Sequence, residues 1–267
     1  MAADPYTHGH HASVLRSHTW RTVENSAEHL IPHLRPGLSL LDIGSGPGTI
    51  TADFAERLAP GRVVGLDAAA DVVEKARTDT APLGLKNLSF ETGDAYELPY
   101  EDDSFDIVHA HQVLQHVSRP AEMLREMRRV TKPGGIVSVR EVDYEGVIWS
   151  PRNAALDEWL ELYLGVHRGV SGEPAAGRYL KSWARRAGFD DVTCTASLWL
   201  FESEADRQWW GGMWQERAVA SAFADNAQRL GLAGRKELER ISAGWRQWAD
   251  DPDGWLLMPH AEIIATA

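Results

Sequence analysis

The sequence has a single cysteine, no long apolar stretch and no excess of positive charge. Because Cys194 is the only cysteine in 267 residues, the chain can form no intramolecular disulfide and no cysteine-based metal site. No run approaches the roughly 20 apolar residues that span a bilayer, and the N-terminus lacks the basic and apolar segments of a secretory signal. The formal net charge of −12 argues against a nucleic-acid-binding surface. We therefore expect a cytoplasmic protein without a membrane span.

The composition is otherwise that of an ordinary folded protein, except for the distribution of tryptophan. Hydrophobic residues make up 43% of the chain and charged residues 25%, which is typical of globular domains and not of disordered segments. The length suits one large domain. Of the 11 tryptophans, only Trp20 lies before position 149. The two halves of the chain are therefore predicted to have different roles.

Residues 38–51 combine an apolar run with closely spaced glycines. The run 38–43 carries one acid, Asp42, near its end, which is typical of a strand buried on both faces of a parallel sheet. Three glycines follow at every second position: Gly44, Gly46 and Gly48. Glycine adopts positive φ and lets a ligand lie against bare backbone. Since helical spacing of apolar residues begins at Thr49, the pattern is strand, glycine turn and helix, which holds nucleotide-like ligands in open α/β sheets.

Acidic residues end the next two predicted strands. Four further apolar runs are predicted as strands: 63–67, 88–94, 105–110 and 136–142. The first of these ends in Asp67, about 20 residues past the glycines, where such folds place an acid that binds ribose hydroxyls. The second ends in Gly93-Asp94. Both acids are thus predicted at the carboxyl edge of the sheet, where open α/β sheets bind ligands.

Taken together, these motifs resemble the class I S-adenosylmethionine-dependent methyltransferases that act on small molecules, such as quinone-pathway and natural-product enzymes. The similarity runs in register over residues 35–145. The matching segments are Leu-Asp-Ile-Gly-Ser-Gly-Pro-Gly (41–48), Gly-Leu-Asp (65–67), Gly-Asp-Ala (93–95), Phe-Asp-Ile-Val (105–108), Val-Leu-Gln-His-Val (113–117) and Lys-Pro-Gly-Gly (132–135). Their order and their places at strand ends make the signal far more specific than one glycine motif.

The resemblance implies a fold and a division of the chain. The expected fold is α/β, with a doubly wound, Rossmann-like, mostly parallel sheet of seven strands whose last strand is antiparallel. We expect one methyltransferase domain over residues 1–267. It comprises an N-terminal helical cap (1–35), a cofactor-binding core (36–145) and a C-terminal half (146–267) with further strands and a tryptophan-rich helical lid.

The resemblance also implies the cofactor, S-adenosylmethionine, which leaves S-adenosylhomocysteine as product, and the residues that bind it. The glycine turn would contact the methionine part, Asp67 the ribose and Asp94 the adenine. The residues expected to bind the cofactor are Asp42, Gly44, Ser45, Gly46, Gly48, Asp67, Ala68, Asp94, Ala95, His111 and Gln112. No metal site is expected.

Three residues are candidates for a catalytic role. In this family the fourth strand ends beside the methionine part of the cofactor, which places His111 next to the acceptor. His111 could act as a general base or could line the pocket as a neutral imidazole. Glu141 and Asp143 are alternate residues of the fifth strand and are expected to share one face. Either could orient the acceptor or take its proton, and a structural role is equally open.

The N-terminal residues are rich in histidine but show no strand pattern. His8-Gly-His-His11 has no carboxylate pair at ligand spacing, so it is interpreted as polar sequence and not as a metal site. Residues 14–30 are predicted to be a helix that ends at Pro32 and Pro36. By the resemblance this segment folds over the cofactor, and its side chains could equally face solvent. The lid candidates are Tyr6, His10, Ser17 and Arg21.

A long helical insert separates the predicted strand 192–200 from the last strand, 256–265. The insert is expected to be interrupted at Gly211-Gly212, and its tryptophans must bury a large apolar area. That area could be a lid over the acceptor that makes an aromatic pocket, a homodimer interface or a second core.

The predicted activity is methyl transfer from S-adenosylmethionine to an O, N or C atom of a small molecule in an enclosed aromatic pocket. A nucleotide-dependent oxidoreductase on a related sheet is an alternative. Thr49 counts against it, because the dinucleotide fingerprint has a small residue at that spacing. The other alternative is a protein that binds S-adenosylmethionine without catalysis.

Overall fold

An eight-stranded sheet runs through the protein, with helices on both faces. The computed structural model describes residues 20–267. The strands are β1 (Leu40–Ile43), β2 (Val63–Asp67), β3 (Leu88–Thr92), β4 (Phe105–His111), β5 (Thr131–Val142), β6 (Ile148–Ser150), β7 (Val192–Phe201) and β8 (Trp255–Thr266). The α-helices are α1 (Val23–Ser26), α2 (Thr49–Leu58), α3 (Ala70–Thr80), α4 (Pro120–Val130), α5 (Ala154–Gly169), α6 (Leu180–Arg186), α7 (Glu204–Ala220), α8 (Ala222–Arg229) and α9 (Arg235–Asp250).

The order of the strands follows the doubly wound pattern. Strands β3, β2, β1, β4 and β5 lie side by side and are all parallel. Strand β8 is antiparallel to β5, while β6 and β7 each pair with β8 in antiparallel fashion. Only β8 therefore opposes the other described strands. The predicted α/β class and the antiparallel last strand are confirmed, and the short strand β6 makes the count eight instead of seven.

Consecutive strand residues enter different cores, as the alternation of side chains requires. Leu40 and Ile107 pack with α1 and α2 on one face. Leu41 and Val108 pack with α4 and α6 on the other face. The sheet is thus covered on both sides, which explains why its central strands read as continuous apolar runs.

Strand β5 begins five residues earlier than the sequence indicates. The segment Lys132-Pro-Gly-Gly135, which precedes the predicted strand 136–142, lies within Thr131–Val142. The pairing of β5 with β4 shifts register between Phe105 and Ile107. A Cβ on Gly135 would lie 2.8 Å from the carbonyl oxygen of Asp106. Gly135 therefore lets an irregular strand approach its neighbour closely.

The N-terminal segment is less regular than the predicted helix. Within its described part, α1 has only four residues, and a 3₁₀ helix (Glu28–His33) follows after Ala27. Pro32 lies inside the 3₁₀ helix and does not end it. Val23, Ala27 and Leu30 are fully buried, so one side of the segment faces the core. Tyr6, His10, Ser17 and His8–His11 lie outside the described residues.

The helices of the C-terminal half build a core of their own. Trp159 of α5 lies between Trp214 of α7 and Trp245 of α9, with ring centroids 4.8 and 4.7 Å away. All three side chains are completely buried. These tryptophans therefore form a second core within one chain, one of the three predicted outcomes, and they need no partner chain to cover them.

Helix α7 continues through the two glycines that were expected to interrupt it. A Cβ on Gly211 would lie 2.8 Å from the Cβ of Ala249 and 3.0 Å from the carbonyl oxygen of Trp245. The absence of a side chain at Gly211 thus lets α7 and α9 pack closely. The helix tolerates the cost of glycine because tertiary packing outweighs propensity.

Candidate active site

The glycine turn after β1 has the backbone conformation that the sequence predicts. The φ angles of Gly44, Gly46 and Gly48 are +69°, +55° and +83°. A Cβ on Gly44 would overlap the side chain of Val113, and one on Gly48 would lie 2.5 Å from Cζ of Phe90. Positive φ and crowding both require glycine here. Gly44 is exposed and Gly46 is half-buried, so the turn leaves backbone accessible at the carboxyl end of β1.

The end of β2 holds this turn in place. The N–H groups of Gly44 and Ser45 donate to the carbonyl oxygen of Leu66, at 2.7 and 3.1 Å. Asp67 accepts from the N–H of Gly46 at 3.0 Å through Oδ2 and from the N–H of Ala69 at 3.1 Å through Oδ1. Asp67 is half-buried. The carboxylate predicted to bind ribose thus lies directly against the glycine turn.

Asp42 has a different environment from the other predicted cofactor residues. It is 3% exposed. Its Oδ2 accepts from the hydroxyl of Thr51 at 2.6 Å, and its Oδ1 lies 2.8 Å from Nδ1 of His109. Both carboxylate oxygens are therefore engaged inside the protein, where they join β1 to α2 and β4. In this structure Asp42 therefore stabilises the elements that flank the glycine turn.

The predicted adenine residues lie at the exposed end of β3. Asp94 accepts from the N–H of Tyr96 at 2.9 Å, and Ala95 is partly buried against the core. Ala68, which follows β2, is exposed. The hydroxyl of Ser45 is buried and has no hydrogen-bond partner among residues 20–267. These residues line the same edge of the sheet as Asp67, as predicted.

Gln112 links the end of β4 to the N-terminal segment and to β8. Its φ is +54°, which is uncommon for a residue with a side chain. Nη2 of Arg21 donates to its Oε1 at 2.6 Å, and its Nε2 donates to Nε2 of His260 at 2.8 Å. Nδ1 of His260 in turn donates to the carbonyl oxygen of Met258 at 3.1 Å. Arg21, a predicted lid residue, is therefore fixed over the end of β4.

His111 lies beside Gln112 and is almost completely buried. It is 5% exposed, and neither ring nitrogen has a hydrogen-bond partner in the described chain. Burial lowers the pKa of His111 well below its usual value, and the positive charges of Arg21 and Arg140 add to the effect. The imidazole is therefore neutral at physiological pH. Its ring centroid lies 5.8 Å from that of Trp199.

Glu141 is buried and contacts the loop that follows β4. Its Oε1 accepts from the N–H groups of Val113 and Leu114, at 2.7 and 2.5 Å. Burial raises the pKa of Glu141 to about 8, against the opposing effect of these N–H groups. Glu141 thus positions the loop next to His111.

Asp143 follows β5 and is held at the surface. Both of its carboxylate oxygens accept from Arg178, at 2.8 Å each, and its Oδ1 also accepts from the N–H of Glu145. Glu141 and Asp143, which were expected to share one face, therefore contact separate parts of the protein.

A buried polar cluster beside His111 was missed in the sequence. Arg140 is the register partner of His111 across β4 and β5, and Glu262 is its partner on β8. The Nε group of Arg140 donates to Oγ of Ser197 at 3.0 Å and to Oε1 of Glu262 at 3.2 Å. The signal in the sequence was the alternation of side chains along the strand. Arg140 follows the apolar residue Val139, so its side chain lies on the opposite face of the sheet from Val139, which is the face that carries His111.

Comparison with known proteins identifies the family. A family model described as methyltransferase domain matches residues 34–188, more than half of the chain. The chain belongs to this methyltransferase family. The resemblance noted in the sequence is confirmed, and with it the enzyme class of S-adenosylmethionine-dependent methyltransferases and their cofactor.

Individual relatives are similar to this chain over nearly all of its length. An uncharacterized methyltransferase of Schizosaccharomyces pombe is 31% identical, over 97% of this chain and 95% of its own length. The structure of the YcgJ protein of a Bacillus species superimposes with a TM-score of 0.60 at 21% identity, covering 91% of this chain and 98% of that one. A Haemonchus contortus phosphoethanolamine N-methyltransferase, in complex with phosphomonomethylethanolamine and S-adenosylhomocysteine, has a TM-score of 0.55 at 17% identity and covers 90% of this chain and 51% of its own.

None of the helices between Trp20 and Ala267 is both long and apolar enough to cross a membrane.

Proposed function

We propose that this methyltransferase moves a methyl group from S-adenosylmethionine to a small molecule held at the carboxyl ends of β4 and β5. The observation that carries the proposal is the contact between the glycine turn and Asp67. It joins a bare backbone surface to a half-buried carboxylate at the same edge of the sheet.

The residues at this edge suit the cofactor. Gly44 is exposed and Gly46 is half-buried, so the turn leaves backbone accessible to a ligand, and the buried hydroxyl of Ser45 has a free hydrogen-bonding capacity among residues 20–267. We place the methionine part on this turn, beside Gln112. A carboxylate has about four lone-pair sites, so Asp67 can accept from ribose hydroxyls while it keeps both backbone N–H groups. Ala68, Asp94 and Ala95 then border the adenine.

When bound, S-adenosylmethionine supplies an already activated methyl group, so the main task of the chain is alignment, which contributes several kcal/mol in favourable cases. His111 and Gln112 form the wall next to the transferred group. Because the pKa of His111 is far below neutrality, its neutral ring can orient an acceptor by hydrogen bonding and is a weak base for a strongly held proton. Glu141, which burial keeps largely protonated, holds the loop after β4 and is a poor base near neutral pH, and Asp143 is bound by Arg178.

We propose that the aromatic wall of the acceptor site comes mainly from the N-terminal segment and β7. Trp20 contacts Trp199 edge to face, with ring centroids 5.2 Å apart, and also contacts Trp209 of α7 at 5.3 Å. The indole N–H of Trp199 donates to the carbonyl oxygen of Asn25 at 2.6 Å. The segment 20–33 is thereby fixed between the cofactor half and the helical half, where it can exclude water from the site.

The test is product formation with purified protein. S-adenosylmethionine is incubated with a library of phenols, quinols, amines and carboxylic acids, and S-adenosylhomocysteine is measured by mass spectrometry. We expect His111→Ala to lower turnover by about tenfold or more and to reduce S-adenosylhomocysteine affinity by less than it reduces turnover. His33→Ala, an exposed histidine, is the control.

Two outcomes would contradict the proposal. Binding of a nicotinamide nucleotide in place of S-adenosylhomocysteine would favour an oxidoreductase. Tight binding of S-adenosylhomocysteine without turnover of any acceptor class would favour a protein that binds the cofactor without catalysis.

A further inference from the structure

We propose that Arg140, with His111 beside it, forms a buried binding site for a carboxylate or a similar small anion. The proposal rests on the proposed function only for the identity of the molecule that carries the anion.

The first observation is an incompletely satisfied guanidinium. Arg140 is 1% exposed, and its Nε group is fully used by Ser197 and Glu262. Neither Nη1 nor Nη2 has a hydrogen-bond partner among residues 20–267. Buried charged donors without partners are strongly unfavourable. A cation with an unused planar pair of donors is therefore predicted to have a ligand.

The second observation is that these donors lie next to the proposed site of transfer. The register of β4 and β5 sets Arg140 directly beside His111, whose two ring nitrogens are also without described partners. The guanidinium of Arg140 lies 5.0 Å from the ring centroid of Trp199, and His111 lies 5.8 Å from the same ring. Unused donors of two neighbouring strands thus converge beside one aromatic wall.

The third observation is how the hydrogen bonds around Arg140 are distributed. Glu262 is the carboxylate that contacts Arg140, but it contacts only the Nε group, and it also accepts from Ser197 and, at 2.7 Å, from Thr195. The Nη1 and Nη2 groups therefore have no carboxylate partner among the described residues. The two oxygens of an added carboxylate match this side of the guanidinium fork.

Two molecules could carry this anion. One is the acceptor, through a carboxylate or an ionised phenol. The other is the cofactor, through the carboxylate of its methionine part, which the proposed orientation brings to the end of β4. The chemistry of recognition is the same, and binding experiments can separate the two sources.

The experiment measures binding by calorimetry in wild type, Arg140→Met and Arg140→Lys. The probes are benzoate and neutral benzamide, each added to protein saturated with S-adenosylhomocysteine. A second comparison uses S-adenosylhomocysteine against methylthioadenosine, which lacks the carboxylate. Arg207→Met is the matched control, because Arg207 is also buried but lies in α7 and donates to the carbonyl oxygen of Glu202.

If the acceptor carries the anion, benzoate should bind the saturated protein at least about tenfold more tightly than benzamide, and Arg140→Met should abolish this preference. If the cofactor carries the anion, Arg140→Met should weaken the binding of S-adenosylhomocysteine at least about tenfold and leave the binding of methylthioadenosine unchanged. Either result supports the anion site. In both cases Arg140→Lys should restore part of the loss, since it keeps the charge without the fork.

The proposal is overturned if Arg140→Met changes neither benzoate preference nor S-adenosylhomocysteine affinity. Should Arg140→Met fail to fold by circular dichroism, the Lys variant and the wild-type comparison of benzoate with benzamide decide the question. Because none of these readouts requires methyl transfer, failure of the proposed function would not imitate failure of the anion site.

Discussion

The carboxylate of Asp67 accepts a hydrogen bond from the backbone N–H of Gly46 at 3.0 Å. This contact joins the end of β2 to the middle of the glycine turn after β1. The same carboxylate accepts from Ala69 at the start of α3. A residue expected only to contact ribose therefore also orders the backbone against which the rest of the cofactor is proposed to lie.

Replacement of Asp67 by Ala should weaken cofactor binding by more than one ribose contact. We expect S-adenosylhomocysteine affinity to fall by about 1.5–3 kcal/mol for the lost charged hydrogen bond, with an added loss from the freed turn. Calorimetric titration measures the affinity of the variant for S-adenosylhomocysteine. Asp79→Ala on α3, which breaks only the exposed pair with Lys75, is the control. Unchanged affinity in Asp67→Ala would remove Asp67 from the site.

Gly44 offers a test that separates backbone strain from crowding. Gly44→Ala places a Cβ at φ +69° against Val113, whereas Gly84→Ala places one at φ +64° with no atom within 4 Å. Each substitution costs about 1–2 kcal/mol for the left-handed backbone. Only Gly44→Ala should add about 1–3 kcal/mol for overpacking and weaken S-adenosylhomocysteine. Urea denaturation and calorimetry measure the two effects, and equal losses in both variants would contradict the crowding.

The cofactor half could be predicted because its signals are local. Strand β2 was predicted to the residue, and α2 begins at Thr49 as expected. The apolar runs and the glycines each depend on few neighbours in sequence. The ends of the predicted strands then placed Asp67 and Asp94 at one edge of the sheet, which the parallel pairing of β2 and β3 confirms.

The other features of the site and of the helical half could not be predicted, because they depend on contacts between residues that are distant in sequence. The role of Glu141 comes from N–H groups of a loop 27 and 28 residues away. The environment of Arg140 comes from β7 and β8, which lie 57 and 122 residues further on. The tryptophans of the helical half predict that a large apolar area is buried, but they do not predict what covers it. A lid and a second core could therefore not be distinguished from the sequence.

Trp159 should behave as a core residue of the helical half. Trp159→Ala removes a completely buried side chain between Trp214 and Trp245. We expect it to lower the free energy of unfolding by about 3–5 kcal/mol. Leu232→Ala, at a side chain 48% exposed, should change it by less than about 0.5 kcal/mol. A stable Trp159→Ala protein with impaired turnover would instead place Trp159 in the acceptor pocket.

The raised pKa of Glu141 should make the free energy of unfolding depend on pH. Its pKa is about 8 in the folded protein, against an ordinary value of 4.5 for a glutamate in the unfolded chain, so the folded state binds more protons between these values. The stabilisation is therefore complete below about pH 4.5 and is lost as pH rises through about 8. Glu141→Gln keeps an oxygen acceptor for Val113 and Leu114 but does not titrate. Relative to this variant, wild type should lose up to about 1.4 kcal/mol per pH unit within that window.

Urea denaturation of wild type and Glu141→Gln at several pH values from 5 to 8.5 measures this difference. Glu239→Gln, which alters an exposed ion pair with Arg235 on α9, is the control and should show a small difference without this slope. A constant difference between wild type and Glu141→Gln would mean that Glu141 is ionised in the folded protein. The N–H groups of Val113 and Leu114 would then outweigh the effect of burial on the pKa of Glu141.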